Sequence, residues 1–226
     1  MAVQTKGLCK YCGKEYTKSG MLRHLQACKK RSAKLAEEKR KRICQYFQVV
    51  ITGKYQKDYW LIVEASENTT LKELDWFIRD IWVECCEHLS AFTIHGEQYE
   101  SNPDTDPFWG KPSRNMNYRL KDVVDVGDNF LYEYDFGSTT ELVLSIHSCR
   151  DGEKKNNEIV ILSRNNPPKI LCSNCEQNEA KWVNPEGYYE GEPFWCDECL
   201  KAESDEEGEY YKPEFLLPVC NSPRMR

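Results

Sequence analysis

CQYFQVVITGKYQKDYWLIVEASENTTLKELDWFIRDIW, residues 44–82, decides the fold. CQYFQVVITG and DYWLIVEA have the β-branched and aromatic content of strands, and the KYQK between them predicts a hairpin. Thr70, followed three positions later by Glu73, is the pattern of a reciprocal cap that opens a helix. Leu71, Leu74, Phe77, Ile78, Ile81 and Trp82 then recur at helical spacing and give that helix one broad apolar face for the hairpin. The domain starts ββα.

Downstream, AFTIHG, FLYEYDFG, ELVLSIHS and EIVILS are further strand candidates. SNPDTDPFWGKPSRNMN, residues 101–117, is rich in turn formers and reads as a long surface loop. A ββα start followed mostly by strands predicts an α+β domain over 44–164, a β-grasp-like mixed sheet with one main packed helix. Two small zinc-binding modules are expected to flank it. The organisation is then a zinc-finger-like module at 1–30, a basic helical linker at 31–43, the α+β domain, a four-cysteine ribbon at 165–202 and an acidic tail at 203–226.

The first residues, MAVQTKGLCK, lack the apolar core of a secretory signal, and no run approaches the roughly 18 apolar residues that span a bilayer. The expectation is a soluble cytoplasmic protein with no membrane contact. In that compartment the 12 cysteines, several in CxxC pairs, favour metal over disulfides.

Cys9 and Cys12 form one CxxC, and His24 and Cys28 follow as H-x3-C. Two thiolates on a knuckle and two ligands on successive helical turns can surround one tetrahedral zinc, with Tyr16 and Met21 or Leu22 as a miniature core. The module resembles a two-Cys, two-His finger with its last His replaced by Cys. Cys172, Cys175, Cys196 and Cys199 form a second set, CSNC and CDEC, which suits a closed four-thiolate zinc ribbon with no open position for catalysis; iron is the chemical rival there. Two zinc ions per chain are therefore expected.

Other polar clusters are weaker. CCEH at 85–88 has thiols and an imidazole but no third group to orient them, and His95 and His147 lie in strand-like runs without partners at metal spacing. In YEYDFG, strand alternation puts Tyr132, Tyr134 and Phe136 on one face and Glu133 and Asp135 on the other, where a solvated acidic face is the simpler reading. An enzyme using the YEYDFG face or CCEH is the least favoured alternative.

Charge is divided unequally. Residues 1–42 carry 13 basic against 3 acidic side chains, a balance of +10, and the remainder is −16. The basic end suits a polyanion. Lys10, Lys14, Lys18, Arg23, Lys29, Lys30 and Arg31 are the candidate nucleic-acid contacts. By finger geometry the base-reading positions fall at Thr17, Gly20 and Arg23, of which only Arg23 is a good reader. The expected mode is sequence-tolerant phosphate binding. The competing reading is a protein-interaction adaptor in which both zinc sites are structural and the acidic region meets a partner.

YFQVVITG, the YW at 59–60, NTTLKELDWFIRDIW, HLSAF at 88–92, GDNFLYEYDFG at 127–137 and NSPRM near the end together resemble the plasmid pRiA4b ORF-3-like family of mobile-element passenger proteins. The likeness covers about residues 44–148 and implies an α+β domain with no established activity. The family tends to have Arg after the second-strand Trp and often follows YDFG with an acid, an aromatic and a His. This chain has Leu61 and Ile62, then Ser138, Thr139 and Thr140, so any site formed by those positions in relatives is lost here.

Overall fold

Thr70 and Glu73 cap the main helix from both directions: the Glu73 N–H donates to Thr70 Oγ1 at 3.1 Å, and the Thr70 N–H donates to Glu73 Oε2 at 2.7 Å. The helix is seen in a computed structural model that describes residues 5–38, 42–82, 88–103, 113–156, 159–167, 169–184, 194–207 and 217–218. The chain forms two units, 1–166 and 167–226.

In the first unit the elements are β1 (Lys6–Leu8), β2 (Glu15–Thr17), α1 (Lys18–Ala27), α2 (Lys29–Ala36), β3 (Ile43–Gly53), β4 (Trp60–Ser66) and α3 (Leu71–Ile81). They continue as β5 (Ser90–Ile94), β6 (Glu97–Glu100), β7 (Arg114–Asn115), α4 (Leu120–Val123), β8 (Asn129–Tyr134), β9 (Thr140–Glu153) and β10 (Val160–Arg164). Apart from the small β1–β2 hairpin, these strands form one sheet in the order β10-β4-β3-β9-β8-β5-β6-β7. Every pair is antiparallel except β6 with β7, so the sheet is mixed and the fold is α+β as expected. Residues 104–112 of the expected surface loop lie outside the described residues.

β4 is buried along its whole length and β3 nearly so, the pattern of strands covered on both faces. On one face Phe47, Val49, Ile51, Leu61 and Val63 meet Leu71, Leu74 and Ile78 of α3. On the other, Val50, Trp60, Ile62 and Leu162 meet Met21 and Leu25 of α1 together with Cys9 and Cys28.

The N-terminal module is thus packed as a layer of the main unit, and residue 30 does not separate compact units. Its hairpin also bonds the edge strand. Lys10 N–H donates to Leu162 O, Asn166 N–H to Lys6 O, and Ser163 Oγ to Leu8 O. Gly7 makes this approach feasible, because a Cβ there would lie 2.0 Å from Arg164 O and 2.7 Å from the Trp60 ring.

The segment at 31–43, expected as a solvated basic helix, is helical through Ala36 and mostly exposed among its described residues, but it is pinned at Arg31. Arg31 is buried, donating to Glu64 Oε2 at 2.9 Å and to Leu25 O at 2.9 Å. Arg150 of β9 clamps the other side of the Glu64 carboxylate, at 2.6 and 2.8 Å. Glu38 in turn binds Arg150 and Lys155. Burial alone would raise the Glu64 pKa, but hydrogen bonds and charge from Arg150 and then Arg31 outweigh it and hold the carboxyl below its ordinary range.

Two outcomes follow from this docking. Met21→Ala, at a fully buried position, is expected to cost about 2–5 kcal/mol of unfolding free energy by denaturant titration. Because the native Glu64 pKa is depressed, its contribution is fully present above the unfolded carboxyl value and fades as pH falls through the native one. The stability gap between the wild-type chain and Glu64→Gln should therefore be largest near neutrality and close on acidification.

Candidate metal centres

The first knuckle is made by a tight turn between β1 and β2. Gly13 N–H donates to Cys9 O and Cys9 N–H to Lys14 O, and Gly13 takes φ +71°, a conformation that favours glycine. Thr17 caps α1 by accepting from Gly20 N–H, so α1 starts where His24 and Cys28 fall one turn apart. Cys28 leaves helical geometry at ψ 107° and separates α1 from α2. Tyr16 stacks on the His24 ring at 4.3 Å between centroids.

The ligand atoms of Cys9, Cys12, His24 and Cys28 all lie within 4.8 Å of one another, and Cys12 Sγ is 3.2 Å from His24 Nε2. Cys9 and Cys28 are buried, whereas Cys12 and His24 are partly exposed. Burial raises the Cys9 pKa, while the Lys14 N–H lowers that of Cys12, so the two thiols of the knuckle are shifted in opposite directions.

The second unit contains β11 (Trp182–Val183), β12 (Phe194–Trp195), α5 (Asp197–Glu207) and β13 (Leu217–Pro218). β11 is the central strand of this sheet, so part of the stretch expected as a separate acidic tail returns to pair with it. Cys172, Cys175, Cys196 and Cys199 also gather within 4.8 Å. Backbone N–H groups of Asn178 and then Gln177 pull the Cys175 thiol down to about 6, and the Cys199 N–H lowers Cys196. Cys199 is raised, first by hydrogen bonding to Cys196 and then by burial. Four sulfurs sharing this space repel as thiolates unless a cation lies among them. Asp197 braces the rim by accepting from Trp182 Nε1 and Lys181 Nζ.

Both ligand sets read from spacing are brought together, and their thiolate and imidazole donors can bind metal ions. The basic residues divide. Lys10, Lys14, Arg23, Lys29 and Lys30 are exposed; Lys18 is partly buried, its ammonium destabilised by burial and donating to Thr52 Oγ1 at 3.3 Å. Arg31 is committed to Glu64 and faces no solvent-borne phosphate. Thr17, expected near a base edge, is used as the helix cap.

Cys85, Cys86 and Glu87 of the CCEH cluster lie outside the described residues. His95 sits at the surface 3.0 Å from Asp128, and His147 is exposed. In YEYDFG the alternation holds for the buried Tyr132 and Tyr134 and ends at Asp135, whose φ of +61° turns Phe136 outward. Sequence reasoning passed over Asp75, a buried carboxylate on the apolar face of α3 that accepts from Ser90, Tyr132 and Arg79. Its position beside Leu74 and three before Ile78 was the available signal.

Among known proteins, a family model described as plasmid pRiA4b ORF-3-like protein matches residues 45–170. No curated protein matches the chain. A crystal structure titled as a protein of unknown function, MM3350 from Methanosarcina mazei Go1, is similar at 17% identity and a TM-score of 0.42, covering 53% of this chain and 67% of that one. Among the described residues, no helix is long and apolar enough to cross a membrane.

Elemental analysis of protein purified without chelator should find two metal ions per chain. Cys196→Ser is expected to lower this to one while leaving the unfolding transition of the first unit in place. Cys12→Ser should also lower it to one but weaken that transition, because its ligand set sits on the sheet.

Proposed function

The chain belongs to the plasmid pRiA4b ORF-3-like family, and we propose that this member is a two-zinc, non-catalytic protein that binds nucleic acid through phosphate contacts from its N-terminal module. Zinc suits both sets, since it takes thiolate and imidazole in tetrahedral sites, and four protein ligands leave no position for substrate. A reducing cytoplasm would keep these thiols available for metal.

The observation that carries the proposal is the exposure of five basic residues on one small metal-linked layer: Lys10, Lys14, Arg23, Lys29 and Lys30. Their balance opposes the acidic remainder of the chain, which favours a polyanion over general protein contact at this end. Base recognition is weak by construction. Thr17 is engaged as a cap and Gly20 has no side chain, which leaves Arg23 alone among the reading positions.

If three to five of these residues each neutralise a phosphate, log affinity against log salt on duplex DNA should fall with a slope of about −3 to −4.5. Replacing Lys29 and Lys30 with Ala should reduce the slope by about two units. Arg31→Ala should leave the slope unchanged and lower thermal stability, since its charge serves Glu64. Random and chosen duplexes should bind alike. If the metal-loaded full chain binds neither DNA nor RNA at low salt, the proposal fails and the adaptor reading takes its place.

A further inference from the structure

A second site is built on the opposite, helix-covered face of the sheet. A cleft of about 430 Å³ opens along α3, lined by Lys72, Trp76 and Arg79 from that helix and by Leu89, Asn115 and Asn117 from the segments beside it. Lys72, Trp76 and Arg79 are spaced i, i+4, i+7, so one stripe of α3 faces the cleft while Leu71, Leu74 and Ile78 face the core.

The floor of the cleft is a fixed polar network. Asp75 is 3% exposed; its Oδ1 accepts from Ser90 Oγ at 2.7 Å and Tyr132 OH at 2.8 Å, and its Oδ2 accepts from Arg79 Nε at 2.8 Å. Arg79 Nη2 also donates to Ser90 Oγ at 2.7 Å. The guanidinium plane is further held over the Tyr134 ring at 4.9 Å and beside the Trp76 ring at 5.9 Å. Two of the three guanidinium nitrogens are thereby committed. Nη1 has no protein partner among the described residues, and neither does the Lys72 ammonium.

The network orients Arg79 rigidly, and Asp75 spends its charge on that arginine, so the free cationic edge and Lys72 give the cleft a net preference for an anion. The flanks are chemically different from this anchor. Trp76 is 55% exposed and Leu89 46%, a flat apolar wall next to the cations. Also on the cleft lining, the Asn115 carboxamide oxygen is taken by the Asn117 N–H, which leaves the Asn115 amide donors and the whole Asn117 carboxamide for a ligand edge. An anion anchor, a stacking wall and carboxamides that can donate and accept match a phosphate joined to a planar heterocycle.

We propose that this cleft binds a nucleoside phosphate, with the ring stacked on Trp76, the phosphate on Arg79 Nη1 and Lys72, and the ring edge on Asn115 and Asn117. The same chemistry occurs in a free mononucleotide and in the terminal nucleotide of a single strand. The site is separate from the basic N-terminal module and does not depend on nucleic-acid binding there.

The test is calorimetric titration of the metal-loaded full chain at low salt with AMP, GMP, CMP and UMP, and with adenosine, inorganic phosphate and a 5′-phosphorylated dinucleotide. At least one monophosphate should bind more tightly than either adenosine or phosphate alone. Trp76→Ala should weaken that binding about tenfold, the effect of removing one stacking platform. Lys72→Ala should weaken the monophosphate but leave adenosine unchanged.

Both side chains are at the surface, so these variants are expected to melt like the wild-type chain, which separates loss of binding from loss of fold. Replacing Lys29 and Lys30 with Ala should leave mononucleotide binding as it was, even if duplex binding is lost. Tighter binding of the dinucleotide than of the mononucleotide would assign the site to a strand end, and the reverse to a free nucleotide. The proposal is overturned if no monophosphate binds at millimolar concentration, or if Trp76→Ala and Lys72→Ala both bind as the wild-type chain does.

Discussion

β3 and β4 are apolar on both faces, and that constraint organises the first unit. A strand exposed on either side would leave Val50, Trp60 and Ile62, or Val49, Leu61 and Val63, in water. At roughly 1.5–3 kcal/mol for each large side chain, neither face can stay open in a stable fold. Helix α3 covers one. The N-terminal Cys/His module covers the other, so a motif usually associated with reading nucleic acid serves here as a wall of the core.

Each interface also contains a buried carboxylate, and in each the charge is matched with several donors. Glu64 lies between Arg31 and Arg150 under the N-terminal module, and Asp75 collects Ser90, Tyr132 and Arg79 under α3. Apolar packing fixes how much surface is covered but is tolerant of sliding. A buried charge with a directional set of partners is not, because a shifted layer would leave it uncompensated. Glu64 ties the module to one register on the sheet, and Asp75 fixes the arginine that gives the cleft on the other side its charge.

The parts of the structure legible in the sequence are those with local periodicity or spacing. Thr70 and Glu73 mark the start of α3 because their cap is completed within four residues, and both ligand sets follow from CxxC spacing. The apolar run WLIV at 60–63 carries a signal of burial on two faces that the strand prediction left unused, and periodicity does not say which segment supplies the second cover. Arg31 sits in a run of basic residues and is distinguished only by Glu64, 33 positions away. The YEYDFG alternation misled at one residue, since Asp135 adopts a left-handed conformation that strand logic does not anticipate.

The joint between the candidate metal site and the sheet couples ion supply to folding. Cys9 and Cys28 belong to the same buried cluster as Trp60 and Ile62, so the thiols that would hold a cation also help seal the apolar face. Metal scarcity would then act on the chain as a folding defect, uncovering a sticky surface of the kind that chaperones and proteases recognise. The amount of folded protein would then follow the supply of the ion, without a dedicated sensor.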